Sequence, residues 1–271
     1  MMSSESTSKR HYRIVLLLVA LLILLVGVAW FQQPDGRMHV YMLQTSGDAL
    51  LIQTPGGRFV LLDGGGDASQ LTLVLGQLLP FWQRELHTVI LTTPSGRHIG
   101  GQVAAMARYQ PVLALAPPEL GRSGAAGEWR RLAAQGTLRP LAAGQRLELD
   151  GASLMVLEVT AGEQGGAVLL LSYGATRVLF HTGGSAGDSA ALALVGRPLD
   201  LLVYPWQRNP ALMSELRPRA MFMSESYSAP SPVLLSFAER RRFSPQVFHP
   251  KADGQLQFTS DGRRVTLKSE G

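Results

Sequence analysis

The sequence predicts an α/β (α+β) domain in which two mixed sheets pack face to face with helices outside, preceded by one N-terminal transmembrane helix. In each half of the chain after residue 37, a run of short strands is followed by alternating strands and helices. Apolar runs such as Val168–Leu171 are typical of strands that are buried on both faces. An unbroken apolar segment near the N-terminus predicts the transmembrane helix.

The composition excludes several classes of protein. The chain has 271 residues, of which 46% are hydrophobic and 17% are charged, so it can form a folded core. It contains no cysteine, which excludes disulfides, thiolate zinc sites, iron–sulfur clusters and cysteine nucleophiles. The formal net charge of +5 does not come with the basic stripe that nucleic-acid-binding modules usually carry. Nucleic acid therefore remains only an alternative partner.

The N-terminal segment predicts a signal anchor. Residues Ile14–Trp30 contain no charge, and as a helix they would span roughly 26 Å, close to the thickness of a hydrocarbon core. Lys9, Arg10 and Arg13 precede the segment, whereas only Arg37 follows closely. This asymmetry predicts a cytoplasmic N-terminus and an extracytoplasmic domain.

The predicted domain boundaries follow from this segment. They are a cytoplasmic tail at 1–13, a transmembrane helix at 14–31, a linker at 32–37 and a folded domain at 38–271. We therefore expect a single-pass protein of the cell membrane. Gly27 and Ala29 also match the small residues of a signal-peptide cleavage site, so a cleaved leader is an alternative.

Turn residues and apolar spacing divide the first half of the domain. Gly47-Asp48 and Pro55-Gly56-Gly57 separate short strands, and the leucines of segment 71–79 recur at helical spacing. The predicted elements are strands at Met38–Leu43, Ala49–Thr54 and Arg58–Leu62, a helix over Leu71–Leu79, a strand at Thr88–Leu91, a helix at Ile99–Tyr109, a strand at Val112–Ala116 and a helix at Glu128–Gln135.

The second half of the domain repeats this scheme. Glycine turns separate the strands of a predicted meander, after which strands and helices alternate. The predicted elements are strands at Arg146–Leu149, Ser153–Val159, Ala167–Tyr173 and Thr176–Phe180, a helix at Asp188–Val195, strands at Leu201–Tyr204 and Ala220–Ser224, a helix at Pro232–Arg241, and strands at Val247–Phe248, Leu256–Thr259 and Val265–Leu267.

One strand-to-helix turn carries the most specific motif. Residues 91–101 read LTTPSGRHIGG and resemble the L-T-H-x-H-x-D-H-I-G-G turn of the metallo-β-lactamase fold. Further segments are similar, in the same order, to motifs of the hydrolase domain of ComEC-type DNA-uptake proteins, namely Tyr41–Ile52, Thr54–Arg58, Leu61–Gly65, Leu179–Gly184, Leu202–Asn209 and Phe258–Gly262. This resemblance covers roughly residues 38–268 and implies an αββα sandwich.

The resemblance also implies a site for two divalent ions, but most ligand positions carry other residues here. The family supplies His, His, Asp and His from the first turn, a bridging Asp, and a later His pair. The corresponding positions in this sequence are, in that order, Thr93, Ser95, Arg97, His98, Gly184, Trp206 and Gln207.

These substitutions predict that the metal centre is lost. Zinc takes about four His, Cys or carboxylate donors, and neutral hydroxyls, a glycine or an indole N–H replace them poorly. Arg97 would add a permanent cation where the family has a carboxylate. We therefore expect no zinc or manganese cofactor and no catalytic residue. The expected role is non-catalytic: an accessory or scaffold domain that docks on a protein partner or an anionic ligand in a membrane assembly.

Two enzymatic alternatives remain open from the sequence. Residues 183–187 match G-x-S-x-G, with Ser185 as the candidate nucleophile and Asp200 and His249 following in triad order. The other alternative is a metal-dependent hydrolase of the nuclease or phosphoesterase type with atypical ligands, such as His98 and His181.

Overall fold

The structure is a computed structural model that describes residues 14–23, 27, 33–162, 165–205, 208–224 and 241–269. The chain divides after Asp35 into two compact units. In the first unit, residues 14–23 are helical. None of the described helices combines the length and the apolar character needed to cross a membrane. The predicted transmembrane helix at 14–31 lies partly outside the described residues and stays a prediction.

The second unit contains the predicted strands and helices. Its strands are β1 (Met38–Met42), β2 (Ala49–Gln53), β3 (Phe59–Asp63), β4 (Glu85–Ile90), β5 (Gln110–Ala116), β6 (Thr137–Pro140), β7 (Arg146–Leu149), β8 (Ala152–Thr160), β9 (Gly166–Tyr173), β10 (Thr176–Phe180), β11 (Leu201–Pro205), β12 (Ala220–Ser224), β13 (Gln246–Phe248), β14 (Leu256–Ser260) and β15 (Val265–Ser269). Its helices are α1 (Ala68–Leu78), α2 (Gly96–Arg108), α3 (Gly124–Ala133), α4 (Asp188–Leu192), α5 (Pro210–Leu216) and α6 (Pro250–Asp253).

The strands form two mixed sheets, as the sequence predicts. In the described part of the chain, the first sheet has the order β15-β14-β1-β2-β3-β4-β5-β6 and the second has the order β13-β12-β11-β10-β9-β8-β7. The pairs from β3 to β6 are parallel, and so are the pairs from β10 to β13. The remaining pairs are antiparallel. Each sheet therefore joins a meander to a parallel portion.

The apolar residues form three layers of core. Strand β2 illustrates the arrangement, because its successive side chains point to opposite faces of the sheet. Leu50 and Ile52 pack between the two sheets, whereas Ala49 and Leu51 pack against α1, α2 and α3. A third cluster lies between the second sheet and helices α4 and α5. The layers are thus helix, sheet, sheet and helix.

Several helix boundaries differ from the predicted ones because of local capping. Helix α1 begins at Ala68, where the Asp67 carboxylate accepts the Ser69 and Gln70 amides. Helix α3 begins at Gly124 because the Ser123 hydroxyl accepts the Ala126 amide. Helices α5 and α6 and strand β6 were not predicted. The predicted helix at 232–241 lies almost entirely outside the described residues.

The start of helix α2 lies unusually close to the loop after β3. The Gly101 amide donates to the Gly65 carbonyl at 3.0 Å. A Cβ at Gly101 would lie 1.8 Å from the Gly64 carbonyl oxygen, so glycine is required for this approach. Asp63, at the end of β3, has a φ of +54°, a region that Asp adopts more readily than most residues. This packing fixes Asp63 beside helix α2.

Candidate functional site

The strand ends of both sheets meet at a buried group of polar residues. We call Asp48, Asp63, Thr92, Ser95, His98, Thr182 and Ser224 the central cluster. Thr92 follows β4 and Thr182 follows β10, and their hydroxyl oxygens lie 3.1 Å apart. Ser224, at the end of β12, donates to Asp48 Oδ2 at 2.8 Å. These two contacts join the sheets at the edge where the resemblance implies a metal centre.

The Asp63 carboxylate accepts three hydrogen bonds from threonine residues. Oδ1 accepts the Thr92 amide at 2.8 Å, and Oδ2 accepts the Thr92 hydroxyl at 2.6 Å and the Thr182 hydroxyl at 3.3 Å. Asp63 is fully buried. Burial raises its pKa to about 6, against the opposing effects of His98 and of the Thr92 hydrogen bonds.

His98 lies between a hydroxyl and a carboxylate. Its Nδ1 is 2.5 Å from Ser95 Oγ, and its Nε2 is 3.3 Å from Asp48 Oδ2. The side chains of His98 and Asp48 are only 3% and 0% exposed. Burial lowers the pKa of His98, but the carboxylates of Asp63 and Asp48 outweigh it, so the pKa is raised. His98 is therefore hydrogen-bonded to the half-buried Ser95 through Nδ1, whereas its Nε2 lies at ion-pair distance from Asp48 without a hydrogen bond.

A second buried group surrounds Arg208. We call His181, Asp188, Tyr204, Arg208 and Asn209 the arginine cluster. Arg208 Nη2 lies 3.0 Å from Asp188 Oδ1 and 2.8 Å from His181 Nε2, and Nε donates to the Tyr204 hydroxyl at 3.1 Å. Nη1 donates to the Gly183 carbonyl. The Arg208 side chain is only 2% exposed.

The charges of the arginine cluster compensate one another. Burial alone would raise the pKa of Asp188, but hydrogen bonds from His181 and Asn209 and the charge of Arg208 hold that pKa well below its usual range. Burial lowers the pKa of His181, and Arg208 adds to this effect although Asp188 opposes it. His181 is therefore favoured as a neutral ring beside a fixed guanidinium.

The residues at the former ligand positions differ in burial. His98 is buried in the central cluster, whereas Ser95 and Thr93 are half-buried. Among the described residues, the Thr93 hydroxyl has no hydrogen-bond partner. Arg97, at the position where the family has a carboxylate, is exposed in the first turn of α2, and its charge lowers the pKa of His98. The buried cation is Arg208 instead.

The remaining positions contribute no charged group. Gly184 is buried, and its amide donates to the Gly165 carbonyl at 2.8 Å. Trp206 and Gln207 lie outside the described residues, so their place in the cleft stays a prediction.

The alternative triad of Ser185, Asp200 and His249 is not assembled in the described contacts. Ser185 begins an exposed 3-10 turn. Asp200 accepts the Arg177 amide and pairs with Arg219 at 3.0 Å. His249 Nδ1 accepts the Lys251 amide at the start of α6. No hydrogen bond in the described part of the chain links Ser185 to Asp200 or His249.

The donors present do not fit a dinuclear metal centre. In the described ranges, no group of three or more His, Asp or Glu side chains converges on one point. The Asp63 oxygens are occupied by threonine donors, and His181 Nε2 faces the Arg208 guanidinium. Zinc takes about four such donors, and the described residues of the central cluster do not provide enough of them to bind one ion. The charge of Arg208 would repel a second ion beside His181.

A cavity opens beside the turn before α2. It has a volume of about 760 Å³ and is lined by the loops that follow β4, β5, β6 and β8. Pro117, Leu141 and Val159 contribute apolar walls, and Ser95 and Thr93 form the side next to the central cluster. Its size is that of a small-molecule site.

Comparisons with known proteins identify the fold. The structure is similar to the metallo-β-lactamase fold protein YhfI from Bacillus subtilis, with a TM-score of 0.54 and 13% identity over 78% of this chain and 96% of that protein. It is also similar to Zn²⁺-bound PqqB from Methylobacterium extorquens, with a TM-score of 0.55 and 15% identity over 78% and 98% of the two chains. The chain has the metallo-β-lactamase fold.

A third solved structure supports the same conclusion. A diphosphatase of the PhnP family matches with a TM-score of 0.55 and 14% identity, over 82% of this chain and 98% of that one. No protein-family model and no curated protein sequence matches the chain. At these identities the similarity shows the fold and not an activity.

Sequence reasoning missed Arg208 and Asp188 as site residues. Arg208 lies in the motif segment Leu202–Asn209 but not at one of its ligand positions, and Asp188 follows the G-x-S-x-G segment without being part of it. The available signals were Asn209-Pro210, which begins α5 with an Asn cap and Pro in the first turn, and Asp188 at the start of α4. Those signals place Arg208 directly before a helix but do not predict that its side chain is buried.

Proposed function

We propose that this chain is a membrane-anchored domain of the metallo-β-lactamase fold that works without a dinuclear metal centre. In this proposal it has a binding or accessory role in a membrane assembly, on the extracytoplasmic side. The ordered motifs favour a relationship with the hydrolase domain of ComEC-type proteins. Metal-dependent hydrolysis is not part of the proposed role.

One observation carries the proposal. The Arg208 guanidinium is buried and contacts Asp188, His181 and the Gly183 carbonyl. Gly183 directly precedes Gly184, the position at which the family has its bridging Asp. A fixed cation held by a carboxylate supplies positive charge without a metal ion. The same charge opposes the entry of a divalent cation by several kcal/mol at contact distance and an effective dielectric of about 20.

The cavity beside Ser95 is the proposed binding surface. Glu119 is the single charged residue among its described lining residues, and it is exposed. Most of the walls are formed by proline, alanine, leucine and valine. Such a surface is suited to an apolar side chain or a small uncharged ligand rather than to a nucleotide or other polyanion.

The test is purification of the full chain from native membranes in mild detergent, as wild type and with Ala142→Trp, which places a bulky ring in the cavity. The control is Ala134→Trp at the exposed end of α3. We expect a stoichiometric partner with the wild type and the control, and its loss with Ala142→Trp. Isolation of all three as a lone chain with tightly bound zinc or manganese contradicts the proposal.

A further inference from the structure

Ser95 combines access to the cavity with a buried basic partner. It occupies the position before the first residue of α2, but its side chain does not cap that helix. Its hydroxyl oxygen lies 2.5 Å from His98 Nδ1 instead. Ser95 also lines the cavity of about 760 Å³. A hydroxyl that faces both an imidazole and an open cavity has the arrangement of an activated nucleophile.

A buried carboxylate lies beside the other ring nitrogen of the imidazole, at ion-pair distance but without hydrogen-bond geometry. His98 Nε2 lies 3.3 Å from Asp48 Oδ2, and that oxygen also accepts the Ser224 hydroxyl at 2.8 Å. Asp48 is fully buried, so its orientation is fixed by these contacts. The groups follow in the order hydroxyl, imidazole and carboxylate, as the nucleophile, the general base and the carboxylate that orients the base do in a catalytic triad.

We propose that Ser95 is a nucleophile that accepts acyl groups from uncharged esters, with His98 as its general base and Asp48 as a positioning residue. This inference goes beyond the proposed binding role and rests on it in one respect, namely that the site works without metal. Nδ1 of His98 faces the hydroxyl and Nε2 faces the carboxylate. The required tautomer therefore carries its proton on Nε2, where Asp48 stabilises it.

The reaction needs only the ester and water. Ser95 Oγ forms a bond to the ester carbonyl carbon while its proton moves to His98 Nδ1. The C–O bond of the ester then breaks, and the leaving alcohol takes that proton. Water then gives a proton to the same nitrogen and attacks the acyl carbon. The bond between that carbon and Ser95 Oγ breaks, Oγ takes the proton back from His98, and the acid leaves. The N-terminal end of α2 carries the partial positive charge of the helix dipole, which favours negative charge on the carbonyl oxygen of the ester.

The cavity determines the class of ester. Leu141 and Val159 form apolar walls, and the exposed Glu119 is the one charged residue among the described residues that line the cavity. An anionic phosphoester gains no counter-charge from such walls. An apolar acyl chain would bury its surface there at about 25 cal/mol per Å². The preferred substrates are therefore uncharged esters with short or branched apolar acyl groups.

The test is labelling of the detergent-solubilised full chain with a fluorophosphonate probe in the presence of EDTA. We expect one label per chain, located on Ser95 by peptide mass spectrometry. Ser95→Ala removes the label, whereas the matched control Ser185→Ala retains it. His98→Gln lowers the labelling rate by about 100-fold or more. Asp48→Asn also lowers the rate and shifts its pH profile, and Asp48→Glu partly restores both.

A second measurement does not depend on the stability of the His98 variant. The chain has no cysteine, so Ser95→Cys and Ser185→Cys each introduce a single thiol. We expect iodoacetamide to alkylate the thiol at position 95 at least about tenfold faster at neutral pH, because His98 stabilises the thiolate. Equal rates, no label, or a label that survives Ser95→Ala overturns the proposal.

The outcomes separate this proposal from the binding role. Labelling that disappears with EDTA and returns with zinc contradicts metal independence and therefore the proposed function. Absence of labelling in a chain that contains no metal contradicts only the nucleophilic role of Ser95.

Discussion

Arg208 Nη2 lies 3.0 Å from Asp188 Oδ1 in the interior of the second sheet's helix layer. The Arg208 side chain is 2% exposed and that of Asp188 is 14% exposed, so water screens the pair only weakly. Desolvation makes a buried guanidinium unfavourable unless its donors are matched, and here Arg208 donates to the Asp188 carboxylate, the Gly183 carbonyl and the Tyr204 hydroxyl. The pair thus stabilises the site from within.

Removal of Asp188 should destabilise the fold strongly. Asp188→Asn leaves the buried Arg208 without its counter-charge, and breaking one partner of a buried pair costs about 3–5 kcal/mol. Chemical denaturation of the detergent-solubilised chain measures this loss in the free energy of unfolding. Arg197→Ala, at an exposed position, is the control and should change it by less than about 0.5 kcal/mol. Equal effects of the two variants would show that the pair adds no stability.

The contribution of Asp188 should depend on pH in a defined direction. The pKa of Asp188 is lower in the folded protein than its unfolded value of about 3.8. Its stabilisation is therefore fully present above that value and is lost as the pH falls toward the folded pKa. The difference in unfolding free energy between wild type and Asp188→Asn should shrink between about pH 5 and pH 3. A constant difference across this interval would contradict a depressed pKa.

The stability that the Asp63 carboxyl contributes should depend on pH in the opposite direction. Its folded pKa is about 6, above the usual 3.8, so the folded state binds its proton more tightly than the unfolded state does. The stability from this group is present below about pH 4 and is lost as the pH rises to about 6. We expect wild type to lose more stability than Asp63→Asn over this interval. Carbon-13 NMR of the carboxyl should show its midpoint near pH 6, and a midpoint near 4 would refute the prediction.

The close approach of α2 to the loop after β3 should not tolerate a methyl group. Gly101→Ala places a Cβ 1.8 Å from the Gly64 carbonyl oxygen, and this overlap should lower the unfolding free energy by roughly 3 kcal/mol. Gly127→Ala, in the exposed interior of α3 with open space around it, should instead add about 0.5–1 kcal/mol. Thermal unfolding of both variants gives the comparison, and a tolerated Gly101→Ala would rule out the tight packing.

The sequence predicted the two mixed sheets because strand alternation and glycine turns are local signals. The apolar run Val168–Leu171 indicates a strand buried on both faces, and the structure confirms it, because all four residues are buried in β9. The αββα arrangement was predicted from ordered motifs, and the solved structures confirm that fold. Helix α5 was missed because its seven residues are too few for a clear apolar period.

The chemistry of the site was less predictable than the fold. Asp188 and Arg208 are 20 residues apart, and β11, which pairs with β10, lies between them in the chain. Whether an arginine is buried depends on such partners and not on its neighbours in the chain. Ser95 and His98 are three residues apart and were recognised only as former ligand positions. Asp48, the third member, comes from a different loop.

Metal content tests the central claim most directly. The full chain should be purified without chelator, incubated with zinc and manganese, freed of unbound ions and analysed by inductively coupled plasma mass spectrometry. We expect the purified chain to contain no stoichiometric zinc or manganese, and we expect its unfolding transition not to change when either ion is added. A stoichiometric pair of ions, located by anomalous scattering between the Asp63–His98 region and His181, would contradict it.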